Sequence, residues 1–88
     1  MDRKHNPHDM TRTLTINHIH FPLVEPTEEV LANLEQGDQL QVRNHTDYLV
    51  MYMATWPTGN LDVYSNAGQQ QVLFPSEVTG VCKKGTAY

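Results

Sequence analysis

With 88 residues, the chain has room for one small domain and one binding face, and a large buried cleft of the kind multi-substrate enzymes use is out of its reach. Six Lys and Arg against ten Asp and Glu leave a formal net charge of -4, the wrong sign for a protein held to nucleic acid mainly through phosphates. Cys82 is the sole cysteine, so no intramolecular disulfide can form, and its place between Val81 and Lys83 at the end of an apolar run marks it as a buried strand residue.

The opening MDRKHNPHDM has no apolar centre, so residues 1–10 are expected to be a disordered polar tail ahead of one domain over residues 11–88. No apolar run approaches the roughly 18 residues a membrane span needs, and the expected location is cytoplasmic. From Thr13 the chain alternates, with Leu14 and Ile16 on one face and Thr13, Thr15 and Asn17 on the other, the period of a half-buried strand. The phase then breaks. A straight continuation would bury His18 and His20 and expose Ile19 and Phe21, so a bulge near Asn17 and His18 is expected. Pro22 and Pro26 keep FPLVEP out of any central strand, because two amide donors are missing.

TEEVLANLEQGD, residues 27–38, offers Thr27 as an N-cap, Glu28 and Glu29 in a first turn, apolar Val30, Leu31 and Leu34, and Gly37 as a stop. It reads as one short helix near residues 27–35, or as an irregular loop closing in one helical turn. DQLQVRN then alternates, with Leu40 and Val42 inward and Gln39, Gln41 and Arg43 outward, and NHTD turns the chain into a hairpin. YLVMYMA, residues 48–54, is apolar on both sides and predicts a central strand covered on both faces. Leu49, Met51 and Met53 are its expected core side, while Tyr48 and Tyr52 either cover a second layer or face a partner. TWPTGN and SNAG punctuate the short strands LDVY and QQQVLF, and PSEV leads into a last strand, TGVCKK. The total is five or six short strands: a mainly β, small, partly open barrel, the architecture that limits exposed edges by curling.

In order, LEQGDQLQVRNHTD (residues 34–47) and VLFPSEVTGV (residues 72–81) resemble the Src-homology-3 family. The first is similar to its Gly-acidic turn, diverging strand and polar loop, and the second to its strand, proline, single helical turn and last strand. The resemblance covers residues 14 to about 82 and implies a Src-homology-3-like barrel that binds proline-rich segments in an aromatic groove beside an acidic loop. Of that machinery, Pro75, Tyr48 in a substituted role and the acids Glu25, Glu28 and Glu29 carry over. The family's early tyrosines fall on NHIHFPL, and the interval from Gly59 to Val72 is long enough to imply an extended hairpin or an additional strand.

Candidate sites follow from residue type. His18 and His20, two apart on one strand, would converge on a zinc or nickel ion that His45 or Asp47 could complete. Tyr48, Tyr52, Trp56 and Tyr64 could form an aromatic platform, with Trp56, between Thr55 and Pro57 in a loop, the one best placed for exposure. The interval from Glu25 to Asp38 holds five acids and no base and reads as a solvated acidic face. No phosphate loop or nucleophile turn is present, and Ser65 and Ser76 read as turn residues. The expected function is a non-enzymatic protein-binding module, an adaptor or inhibitor without a cofactor, docking through Glu25, Glu28, Glu29, His20, Tyr48, Tyr52, Trp56 and Pro75. The alternatives are a nucleic-acid-associated small barrel and a small metal-binding protein using His18 and His20. A homodimer through an exposed strand edge is a further expectation.

Overall fold

A reversal of the chain at Asn17 and His18 decides how the first apolar residues are used. The computed structural model describes residues 12–88; the expected tail, residues 1–10, lies outside the described residues. Strands β1 (Arg12–Ile16) and β2 (Ile19–Leu23) form a two-stranded antiparallel sheet. Between them Asn17 and His18 take φ of 51° and 68°, the left-handed pair that a tight hairpin requires because its twist matches that of the strands. The expected bulge is therefore a full hairpin. Leu14 lies opposite Phe21 and Ile16 opposite Ile19, and directly opposed residues share a face, so one reversal puts all four on the same side.

A side chain in the left-handed region carries strain that glycine does not. His18→Gly should then stabilise the protein by roughly 1 kcal/mol, read as a higher urea midpoint at unchanged slope. A lower midpoint would speak against this turn.

Helix α1 (Glu28–Ala32) is capped by Thr27, whose Oγ1 accepts from the Val30 N–H at 3.2 Å. It stops at Asn33 rather than running on toward Gly37. The Asn33 side-chain amide donates to the Glu29 carbonyl at 2.8 Å, a local bond that competes with continuing the helix. Gly37 serves later, with φ 104°, at the entry to the next strand, where a side chain would be strained.

Strands β3 (Gln39–Val42), β4 (His45–Thr55), β5 (Leu61–Tyr64) and β6 (Gln70–Leu73) run as an antiparallel meander. After a 3-10 turn at Pro75–Glu77, β7 (Val78–Cys82) returns beside β3, giving the order β6-β5-β4-β3-β7. Among the described residues, seven strands in two antiparallel sheets thus replace the expected five or six. The addition comes from the first strand, which is split by the turn at Asn17 and His18 into β1 and β2. No closed barrel forms among the described residues, since β6 and β7 are opposite ends of one sheet. No described helix is long and apolar enough to cross a membrane.

The five-stranded sheet buries residues on both faces. On one, Leu40, Val50, Tyr52, Leu61, Val63 and Val81 are among the residues of the main core, with Val30, Leu31 and Leu34 packed against it. On the other, Leu23, Leu49 and Cys82 are buried with Leu14, Ile16 and Phe21, the apolar side of the first hairpin. Gly80 makes this second layer possible: a Cβ there would stand 3.0 Å from Arg12 Nη2 and 3.3 Å from the Leu23 Cβ, inside the distances at which atoms repel.

Gln41, expected outward, is buried. Its Oε1 accepts from Arg12 Nη2 at 3.2 Å and from Thr79 Oγ1 at 3.0 Å, and its Nε2 donates to the Thr46 carbonyl at 2.9 Å. A buried amide is tolerated because each side-chain end is bonded. The alternation in β3 was readable, but not that the hairpin would cover its second face.

Candidate interaction surface

The acidic interval from Glu25 to Asp38 does not form one solvated face. Asp38 is fully buried. Its Oδ2 accepts from Lys83 Nζ at 2.6 Å and from the Glu35 N–H at 2.9 Å, and its Oδ1 accepts from the Lys84 N–H at 2.9 Å. Burial acts to raise the Asp38 pKa, but the hydrogen bonds from Lys83 and from the two backbone amides, with the Lys83 charge, outweigh it and hold the carboxyl below its ordinary value. Asp38 is thus a knot that ties the segment before β3 to the turn after β7.

Glu25 lies 3.9 Å from Arg12, and Glu35 lies 3.4 Å from Lys84. Both pairs are exposed, and such pairs contribute little. Glu28 and Glu29 remain as exposed side chains in the first turn of α1, where they complement the helix dipole.

The aromatic platform is also divided. Tyr52 is only 7% exposed and belongs to the main core, with its hydroxyl hydrogen-bonded to Thr55. It cannot meet a partner, which corrects the expectation that it would. The two-sided apolar pattern of β4 hid its phase: Val50 and Tyr52 point into the main core, Leu49 points under the hairpin, and Met51 is 43% exposed. Tyr48 on β4 and Trp56, just past its end, lie eight residues apart, about 26 Å for an extended chain. Tyr48 packs edge-on against His45 at 5.5 Å. Trp56 is exposed as expected, in a turn closed by Trp56 N–H to Asn60 and Gly59 N–H to Trp56.

The histidines part company as well. His18 sits in the turn and His20 is back in a strand, so the same-side convergence expected of one continuous strand does not arise. His20 Nδ1 lies 3.0 Å from Thr15 Oγ1. Its backbone exchanges hydrogen bonds with Tyr88, whose ring lies 5.0 Å from the imidazole. Among the described residues no three His, Cys, Asp or Glu side chains gather as metal ligands would. Pro75 is exposed at the start of the 3-10 turn, where a missing N–H costs nothing.

A different surface emerges where the first hairpin ends. The hairpin covers Leu49, Cys82 and Gly80 but not the part of the same face built by β4, β5 and β6. There Met51 pairs with Tyr64 across β4 and β5, and Gln39 pairs with Met51 from β3. Tyr64 and Val72 are 38% and 50% exposed. At the step between covered and bare sheet lies an open pocket of about 270 Å³, lined by Gln39, Leu49, Met51, Tyr64, Ser65 and Asn66.

None of the lining side chains is charged. Alternation in LDVY puts Tyr64 outward, and the stretch Val63–Ser76 contains no charged residue or histidine; these two signals together could have marked the surface. The chain matches no family model, no curated protein and no solved structure.

Proposed function

We propose that the chain is a non-enzymatic protein-binding module, an adaptor or inhibitor, that docks through the bare half-sheet around Met51, Tyr64 and Val72. The observation that carries this is the pocket at the hairpin's edge, where exposed Met51 and Tyr64 meet over a neutral, half-apolar floor. At about 270 Å³ and open to solvent, it lies below the range of roughly 300 to 1,000 Å³ typical of small-molecule sites. It suits one anchoring apolar or aromatic side chain of a protein, the usual centre of a hot spot.

We also propose that the fold is Src-homology-3-like. Supporting this are the glycine-acidic entry to β3 at Gly37 and Asp38, the proline and 3-10 turn at Pro75–Glu77, and the return of the last strand beside β3. A polyproline groove is not part of the proposal, because Tyr52 is buried in the main core and cannot line one.

The test is selection of peptides from a random library on the immobilised protein. Peptides with an apolar or aromatic anchor should emerge, and Met51→Glu or Tyr64→Glu should weaken their binding by about tenfold or more. Glu28→Gln and Glu29→Gln should leave it within about twofold. The reverse pattern, or no selectable peptide, overturns the proposal.

A further inference from the structure

The five-stranded sheet has one edge already used and one left open. At the β7 edge, Val24 and Val81 exchange backbone hydrogen bonds at 2.8 and 3.0 Å, and the Thr79 carbonyl accepts from Arg12 Nη2 at 2.7 Å. Residues 79 and 81 are those whose backbone groups point away from β3, so three of the four outward groups of these two residues have partners. At the other end, β6 pairs with β5 and with nothing else among the described residues. The Ser65 N–H donates to the Gln69 carbonyl, and the register runs Tyr64 to Gln70, Val63 to Gln71 and Asp62 to Val72. Antiparallel ladders alternate bonded and non-bonded pairs. Gln71 therefore bonds inward to Val63, and the N–H and C=O of Gln70 and Val72 face outward.

We infer that the open edge of β6 pairs with β6 of a second copy of this chain, antiparallel about a twofold axis at Gln71, forming a homodimer with a continuous ten-stranded sheet. In that register each Gln70 exchanges both backbone bonds with Val72 of the partner subunit, which satisfies the outward groups identified above. Charge selects this occupant. The chain carries a net charge of -4, yet Val63–Ser76 contains no charged residue. The nearest charge on this face, Asp62, stands one strand back on β5, where its Oδ1 accepts from Gln70 Nε2 at 2.8 Å, so a twofold axis here brings no like charges directly opposite each other. Edge strands that avoid such pairing carry lysine, an internal proline or a bulge; β6 has no charge, no proline within it and an unbroken register with β5. Both partners present the same face about such an axis, so their Val72 and Gln70 side chains, with Asp62 and Tyr64 behind them on β5, form one surface. Pairing is isologous and therefore closes at two copies.

A four-residue edge with a few flanking apolar side chains falls at the weak end of specific interfaces, so dissociation near a tenth of a millimolar, within about tenfold, is expected.

Sedimentation velocity of the whole chain from about 20 µM to about 1 mM tests it, across the concentration range in which so weak a dimer assembles. The weight-average mass should rise from the 10.1 kDa monomer toward twice that value. Gln70→Pro removes an outward N–H and no backbone bond to β5, losing besides only the exposed hydrogen bond from Gln70 Nε2 to Asp62 Oδ1, a substitution edge strands accept, and V72K places like charges across the axis. Each should weaken dimerisation by about tenfold or more with the wild-type circular dichroism and little change in melting temperature. If Gln70→Pro does not fold, V72K alone decides. A wild-type chain that stays monomeric to about 1 mM, or a V72K chain that dimerises as the wild type does, overturns the inference. Dimerisation lost in Tyr64→Glu but retained in V72K also overturns it, since that points to face packing rather than edge pairing. Because peptide binding by the bare face is measured separately, loss of one property does not remove the other.

Discussion

Asp38→Ala is expected to lose about 3 kcal/mol of stability at pH 7, the cost of removing one partner of a buried ion pair. Deleting the carboxylate strands the Glu35 and Lys84 amides and leaves Lys83 Nζ without its 2.6 Å acceptor. A domain of this size has only about 4 to 13 kcal/mol in total, so the variant should still fold at room temperature. Its melting temperature should fall by roughly 12 to 24 °C.

The pH dependence carries its own sign. The folded-state pKa of Asp38 lies below the ordinary value of 3.8, so the unfolded chain binds the proton more readily. The stabilisation is then complete above the unfolded pKa and is lost as pH falls through the folded one. Urea titrations of wild type and Asp38→Ala should therefore show a gap that is widest at pH 7 and narrows below about pH 4. An equal gap at pH 7 and in strong acid would mean that the charge of Asp38 is not used.

Leu23→Ala should cost about 3 kcal/mol as well, for a different reason. Leu23 is 1% exposed and joins Leu49 and Cys82 beneath the first hairpin. Truncating a buried leucine loses transfer free energy and leaves a cavity, together about 2 to 5 kcal/mol. The damage should be local before it is global, because this layer holds the hairpin onto the sheet. Cys82, buried in the wild type, should react with a thiol reagent many times faster in the variant at concentrations of urea that leave the main core folded. Unchanged Cys82 reactivity would show that the hairpin is held by something other than this layer.

The parts of this fold that could be read from the sequence are those where one local pattern has one solution. Thr27 followed by Glu28 and Glu29 gives a capped helix start, and LDVY gives β5 with its boundaries intact. The phase break at Asn17 and His18 was equally visible, but a bulge and a two-residue hairpin both repair it locally. Only the pairing of Leu14 with Phe21 across the turn selects the hairpin.

The same limit governs the candidate surface. Tyr52 and Met51 are adjacent in a strand that is apolar on both sides, so nothing in residues 48–54 says which points to the main core. That choice depends on how far the first hairpin extends over the sheet. Asp38 was misplaced for a related reason: counted with its acidic neighbours it suggests a solvated face, while its partner Lys83 lies 45 residues on. The exposure of Trp56, by contrast, followed from its loop.

The most direct test of the bare half-sheet as the docking surface is an amide chemical-shift map of the protein titrated with a library-selected peptide. Changes should concentrate at Leu49, Met51, Tyr64, Ser65 and Asn66, and reach Val72, while Glu25, Glu28 and Glu29 stay in place. Changes centred on residues 25–38, with the signals of Met51 and Tyr64 unmoved, would contradict it.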